Sequence, residues 1–166
     1  PCSLGTPAWT FTGRRHPISG AYEDTEFTRA YAQGEVIILD EMDKLDPSTA
    51  AAVNAALANG HVASPNGPIA RHEDTVILAT ANTYGTGADR QYVGSNQLDA
   101  ATLDRFAGGF LSADYSAEYE STHASETVYT AVCRTREHIK ARSLRRICST
   151  RALLAAEKLA SAGMDW

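Results

Sequence analysis

Three cysteines in 166 residues is a small and odd number, and Cys2, Cys133 and Cys148 are scattered with no CxxC pair among them. That excludes a disulfide framework and a zinc ribbon, and it fits reduced thiols in a cytosolic protein. The five histidines, His16, His61, His72, His123 and His138, show no HExxH or other ligand spacing and read as surface residues. No apolar run approaches the roughly 20 residues that span a bilayer, so a membrane partner is not expected. The opening "PCSLGTPAWTF" has no basic segment followed by an apolar one, which excludes a signal peptide there. It has no methionine either, so residue 1 is not expected to be the natural start. Internal repeats and low-complexity tracts are missing too. Fifteen basic against twenty acidic residues give a formal charge of −5, which argues against nucleic acid as the main partner.

What remains is an ordinary globular composition, 43% hydrophobic and 21% charged, long enough for one medium domain or a domain with a small satellite. The charge is uneven. Between Arg134 and Arg151 stand Arg134, Arg136, Lys140, Arg142, Arg145, Arg146 and Arg151, against a single acid, Glu137. This stretch reads either as a solvated helix and loop or as a phosphate-facing patch.

Residues 1–24 are rich in turn formers. "DTEFTRAYAQG" predicts a short helix capped by Asp24 or Thr25 and stopped by Gly34. "VIILD" predicts a strand over 35–39. "DPSTAAAVNAALANG" predicts a helix over 47–59, with Asp46 as cap, Pro47 at the first helical position and Gly60 as the stop. "HVASPNGPIARH" predicts a hairpin turning at Asn66-Gly67. "TVILATAN" predicts a second strand over 75–81, and "LDAATLDRF" a short helix capped by Asp99 with Leu103 and Phe106 facing the core. A short third strand is expected in "AGGFLSADY". Residues 116–140 read as broadly helical, and "STRALLAAEKLASAG" as a last helix capped by Ser149 or Thr150.

Two strands of the fully buried, apolar type separated by a helix predict a parallel α/β sheet, whose ligands sit at the carboxyl ends of the strands. Asp40, Glu41 and Asn82 fall on that edge. Four apolar residues leading into Asp40 and Glu41 is an order that suits magnesium. Mg²⁺ prefers hard oxygen ligands and keeps several waters, so one carboxylate aimed past a strand end serves it. A second carboxylate beside it can polarise an attacking water, and the amide of Asn82 can hold that water. Arg105, at the end of the "LDRF" helix, can neutralise charge on a transferring phosphoryl group.

"VIILDEMDK", "VILATANT", "LDAATLDRF" and "STRALL" resemble, in order, the Walker B, sensor 1, arginine-finger and sensor 2 segments of AAA+ ATPases. The stretches "GRRHPISGAYEDTEFTRAYAQGEVIILDEMDKLDP" and "ALANGHVASPNGPIARHEDTVILATANTYGTG" are similar to the branch of MoxR-like proteins, the cobalt-chelatase small subunit and related phage and bacterial ATPases. The resemblance covers residues 11–163. It implies an α/β AAA+ core over 1–115, from after Walker A through the arginine finger, and a helical lid over 116–166. It implies ATP and Mg²⁺ as cofactors, a homo-hexameric ring, a protein client and a cytoplasmic setting. By the same resemblance Asp40 binds Mg²⁺, Glu41 activates water and Asn82 is sensor 1. Arg105 reaches the neighbouring subunit's nucleotide, and Arg151 contacts the nucleotide of its own subunit.

One part of the family pattern is missing. No GxxxxGK[ST] occurs in the sequence, and "GTGADR" has no lysine and follows sensor 1. The expectation is therefore an incomplete P-loop-type sheet, without its first strand and phosphate loop, from a longer ATPase. The resemblance allows three functions: a ring ATPase that remodels or assembles a partner complex, a chelatase subunit driving metal insertion into a tetrapyrrole, and a non-catalytic ring scaffold. The hairpin at 61–71 is either a client-gripping element or purely structural.

Overall fold

The computed structural model describes residues 1–106 and 108–164. The chain forms two compact units, Pro1–Phe110 and Leu111–Trp166. No helix among the described residues is long and apolar enough to cross a membrane.

The first unit opens with a short helix α1 (Trp9–Thr12) and a small hairpin of β1 (Arg14–Arg15) with β2 (Tyr22–Glu23), regular structure that its turn-rich sequence did not announce. Helix α2 (Glu26–Gln33) starts where the Thr25 side chain accepts from Thr28 N and the Thr28 hydroxyl answers the Thr25 N–H. Of the two possible caps, Thr25 is therefore the one used. The helix ends at Gly34, whose φ of 79° is left-handed. A Cβ there would stand 2.6 Å from His72 Nδ1, so glycine is required by both conformation and space.

Strand β3 (Val36–Leu39) pairs in parallel with β6 (Val76–Ala79), Val36 opposite Val76 and Leu39 opposite Ala79. Between them run α3 (Pro47–Asn59) and an antiparallel hairpin of β4 (His61–Ser64) and β5 (Gly67–Ala70). Asp46 caps α3 by accepting from Ser48 N and Thr49 N. The hairpin turn is Pro65-Asn66, one residue earlier than its Asn-Gly signal suggests. Ser64 pairs with Gly67, which is already in the strand.

The core lies on one side of the β3–β6 pair. Phe11, Phe27 and Tyr31 stack edge-to-face and face-to-face, and Ile37, Leu39, Met42, Leu45, Val53, Ala56 and Val62 complete it. Tyr31 joins three elements. Its buried hydroxyl donates to Ala56 O at 2.7 Å, and its carbonyl accepts from Thr75 Oγ1 at 2.9 Å and His72 N at 3.0 Å. The other face of the strands was expected to be buried and is not: Val36 and Ile38 are 62% and 61% exposed, and Val76 and Leu78 about half exposed. The apolar composition reflects two faces that want cover, and the described residues cover one.

Helix α4 (Ala100–Asp104) is capped by Asp99 and fastened to α3, where Asn54 Nδ2 donates to Thr102 Oγ1 at 2.6 Å. Phe106 packs on the core, as expected. No strand forms among the described residues of 107–115.

The second unit holds α5 (Ala117–His123), α6 (Glu126–Ala141) and α7 (Thr150–Ser161) around Val128, Val132 and Leu153. The expected continuous helix over 116–140 breaks at Ala124 and Ser125, both extended. Glu157 of α7 accepts from Ser125 N and Ser125 Oγ, which holds the break in place. Ser149 caps α7.

The Asp46 cap generates a pH prediction. The hydroxyl of Ser48, then the hydroxyl and N–H of Thr49, bring its carboxyl from 3.8 down to about 2. A carboxyl depressed in the folded state stabilises above its unfolded value and loses that contribution as pH falls through the folded value. Asp46→Ala should lower Tm by a few degrees at neutral pH. The gap from wild type should begin to narrow below about 3.8 and close near 2. A gap independent of pH would show that the carboxylate's charge is not what caps the helix.

Candidate functional site

The parallel ladder does not stop at the strand ends. Thr80 N donates to Leu39 O at 3.0 Å and Met42 N donates to Thr80 O at 2.9 Å, so the backbone stays paired one step past Leu39 and Ala79. In that register Asp40 stands opposite Thr80. The Thr80 hydroxyl donates to Asp40 Oδ1 at 2.8 Å and accepts from Glu41 N at 2.9 Å. One hydroxyl thus fixes both members of the acidic pair. On the other side, Asp40 O accepts from Cys2 N at 2.6 Å.

Glu41 takes a left-handed conformation, φ 56° and ψ 46°, unusual for a side chain of its size. That twist ends the strand and starts the 3-10 turn Met42–Lys44. It also turns Glu41 back toward the neighbouring strand. Asn82 Nδ2 donates to Glu41 Oε1 at 3.0 Å, and Lys44 Nζ lies 3.2 Å from the same oxygen. The Asn82 bond first, then the Lys44 bond, hold the Glu41 carboxyl below the usual carboxylate range. Glu41 is therefore ionised at neutral pH, with one oxygen occupied by a neutral donor and a cation.

Met42 and Leu45, fully buried, anchor the turn in the core. Asn96 ties the long loop after β6 to it, its N–H donating to Asp43 O at 2.7 Å and its Nδ2 to Leu45 O at 2.7 Å. The loop that begins with Asn82 is thereby fastened at its far end.

The structure brings Asp40, Glu41 and Asn82 together and leaves Arg105 apart from them. Arg105 is the exposed C-cap of α4, its Nη1 donating to Ala101 O at 2.5 Å. It contacts none of the three. Arg151 lies in the second unit, exposed in the first turn of α7, without a hydrogen bond or ion pair among the described residues. Thr80 and Lys44 were not singled out from the sequence. Thr80 could have been found by continuing the parallel register one residue beyond Leu39.

The donor set fits magnesium. Two adjacent carboxylates face outward at a strand end, and no group of three or more His, Cys, Asp or Glu residues gathers as a metal cage among the described residues. Mg²⁺ is commonly held by one or two carboxylates, with water and phosphate oxygens completing its octahedron. Asp40, clear of Lys44, is the member free to supply that ligand.

A small parallel sheet with helices, ending in Asp-Glu on one strand and a polar amide on the next, fits an α/β domain of the P-loop-like kind. The family model for the AAA domain (dynein-related subfamily) matches residues 1–106, and the chain belongs to that family of AAA+ ATPases. Nucleotide binding and ATP-dependent activity, with ATP and Mg²⁺, are general properties of such domains. No curated protein matches the chain.

Thr80 offers a test of how the acidic pair is set. Thr80→Val keeps the strand and removes both hydroxyl bonds. Hydrogen bonds to charged groups are worth about 1.5–3 kcal/mol, so ATP turnover in the intact protein should fall by about tenfold or more. Thr80→Ser should keep most of it. Unchanged turnover in the valine variant would mean the strand backbone alone positions Asp40 and Glu41.

Proposed function

We propose that the chain is the catalytic part of a magnesium-dependent, ATP-hydrolysing ring ATPase that remodels or assembles a partner protein complex. We place it in the branch of MoxR-like proteins and the cobalt-chelatase small subunit. The observation that carries the reading is the contact between Asn82 and Glu41, 3.0 Å across two parallel strands, beside an Asp40 held by Thr80. A solvated acidic pair has no need of an amide from the next strand or of a left-handed glutamate.

Asp40 is the ligand for the metal, which when bound supplies positive charge to phosphate oxygens. Glu41 accepts the proton of the attacking water, and Asn82 orients that water and the carboxylate together. Arg105 serves the neighbouring subunit's nucleotide, consistent with its exposure on α4 and its lack of contact with Asp40. Arg151 contacts nucleotide from the second unit, the helical lid. These residues themselves contain no GxxxxGK[ST] phosphate loop. The exposed apolar face of Val36, Ile38, Val76 and Leu78 suits cover by further protein.

Two experiments test this reading. Glu41→Gln keeps the shape and the Asn82 contact but removes the base. Nucleotide should stay bound while kcat falls by about 10²-fold or more, the usual share of a general base. Full ATPase activity in that variant would remove Glu41 from its role. For Arg105, rings mixed from Arg105→Ala and Glu41→Gln subunits should recover some hydrolysis, because some interfaces then pair an intact base with an intact arginine. Assembled mixed rings with no more activity than either parent would count against Arg105 acting in trans.

A further inference from the structure

The second unit contains a buried charged clasp that the proposed reaction does not use. Glu120 of α5 is 1% exposed. Its Oε2 accepts from Arg136 Nη1 at 2.6 Å, and its Oε1 from Arg136 Nη2 at 2.7 Å. The same Oε1 accepts from Thr150 Oγ1 at 2.6 Å. Arg136 has its remaining nitrogen committed as well: Nε donates to Cys148 O at 2.7 Å. The face of its guanidinium is covered by the Tyr115 ring, 3.6 Å from Cζ to the ring centre.

These bonds share a target. Arg136 holds the carbonyl of residue 148, and Glu120 holds the hydroxyl of residue 150. Between them lies Ser149, the cap of α7, whose hydroxyl accepts from Ala152 N. Arg151 is the next residue, in the first turn of that helix. Leu153, fully buried, fixes the rotation of the helix from its other face. A planar, bidentate Arg–carboxylate pair sets direction as well as distance. It costs desolvation that an apolar contact would not, so a clasp needed only for packing gains little from being ionic.

We infer that Glu120, Arg136 and Thr150 are positioning residues for Arg151. The clasp fixes the start of α7, so that the backbone from which Arg151 reaches the phosphates does not first have to be ordered. This rests on the assignment of Arg151 to the nucleotide. The chemistry recognised is a nucleoside triphosphate's anionic chain, and the contribution is to affinity more than to the bond-breaking step.

The direct variants, Glu120→Ala or Arg136→Ala, leave a buried charge unpaired and endanger folding of the whole unit. Thr150→Val is the sharper probe. It cuts the clasp's tie to α7 and leaves the Glu120–Arg136 pair intact. In the intact protein, MgATP affinity should fall by about fivefold with Thr150→Val, the equivalent of one hydrogen bond, and by about tenfold or more with Arg151→Ala. The kcat at saturating ATP should change less than KM. Thr150→Ser should restore wild-type affinity. On an Arg151→Ala background, Thr150→Val should add less than about twofold, since two residues acting through one contact are not additive. A full fivefold loss on that background, or no loss on the wild-type background, overturns the positioning role while leaving Arg151 in place. If Arg151→Ala itself leaves affinity unchanged, the assignment of Arg151 fails, and the positioning role with it.

Discussion

The parallel pairing of β3 with β6 is the constraint on which the rest of the first unit depends. Parallel strands cannot be joined by a tight turn and need a crossover. That role falls to α3 and the β4–β5 hairpin, and it accounts for the 36 residues between Leu39 and Val76. The same pairing brings two carboxyl ends to one edge. The backbone bonds of Thr80 with Leu39 and Met42 extend the ladder just far enough to bring Asp40, Glu41, Thr80 and Asn82 within hydrogen-bonding reach of one another. A slip of one residue would turn Ile37 and Leu39 out of the core and the acidic pair out of line. Core burial and site geometry are therefore one register choice.

That choice buries one face of the strand pair and leaves four aliphatic residues on the other. A two-stranded parallel sheet with one open apolar face is unusual, because such sheets are covered on both sides in α/β domains. The sequence of β3 is consistent with this rule. Val36 and Ile38 are as apolar as Ile37 and Leu39, and their composition suits contact with protein more than with water.

Much of this was legible in the sequence, because the signals were local. Asp46-Pro47 and Gly60 bracket α3 to the residue, and Gly34 marks the end of α2, since capping and left-handed stops are decided within a turn of chain. The strands and their acidic end were readable from an apolar run meeting two carboxylates. What escaped depended on partners distant in sequence. Thr80 matters only because β6 lies beside β3, 40 residues from Asp40. The break at Ala124 and Ser125 depends on Glu157, and Glu120 looks like any helix-surface acid until Arg136 and Thr150 close on it. The hairpin turn shifted because Asn66-Gly67 is a preference, whereas the pairing of His61 with Ala70 and Val62 with Ile69 fixes the register.

The electrostatics of the site complete the argument. Asp40 and Glu41 place two carboxylates side by side, and among the described residues Lys44 is the one cation paired with them, on Glu41. A polyphosphate approaching this edge adds further negative charge, so compensation must be substantial. Two unit charges at 4 Å interact with about 4 kcal/mol at the effective dielectric of a protein surface. A magnesium ion, which AAA domains in general use with ATP, would supply part of it. Arg105 and Arg151 are both exposed and without an ion pair among the described residues, although the charge of Arg105 helps hold the Asp99 carboxyl low. The acidic edge itself carries two carboxylates against one cation among the described residues, an imbalance that a divalent metal ion would relieve.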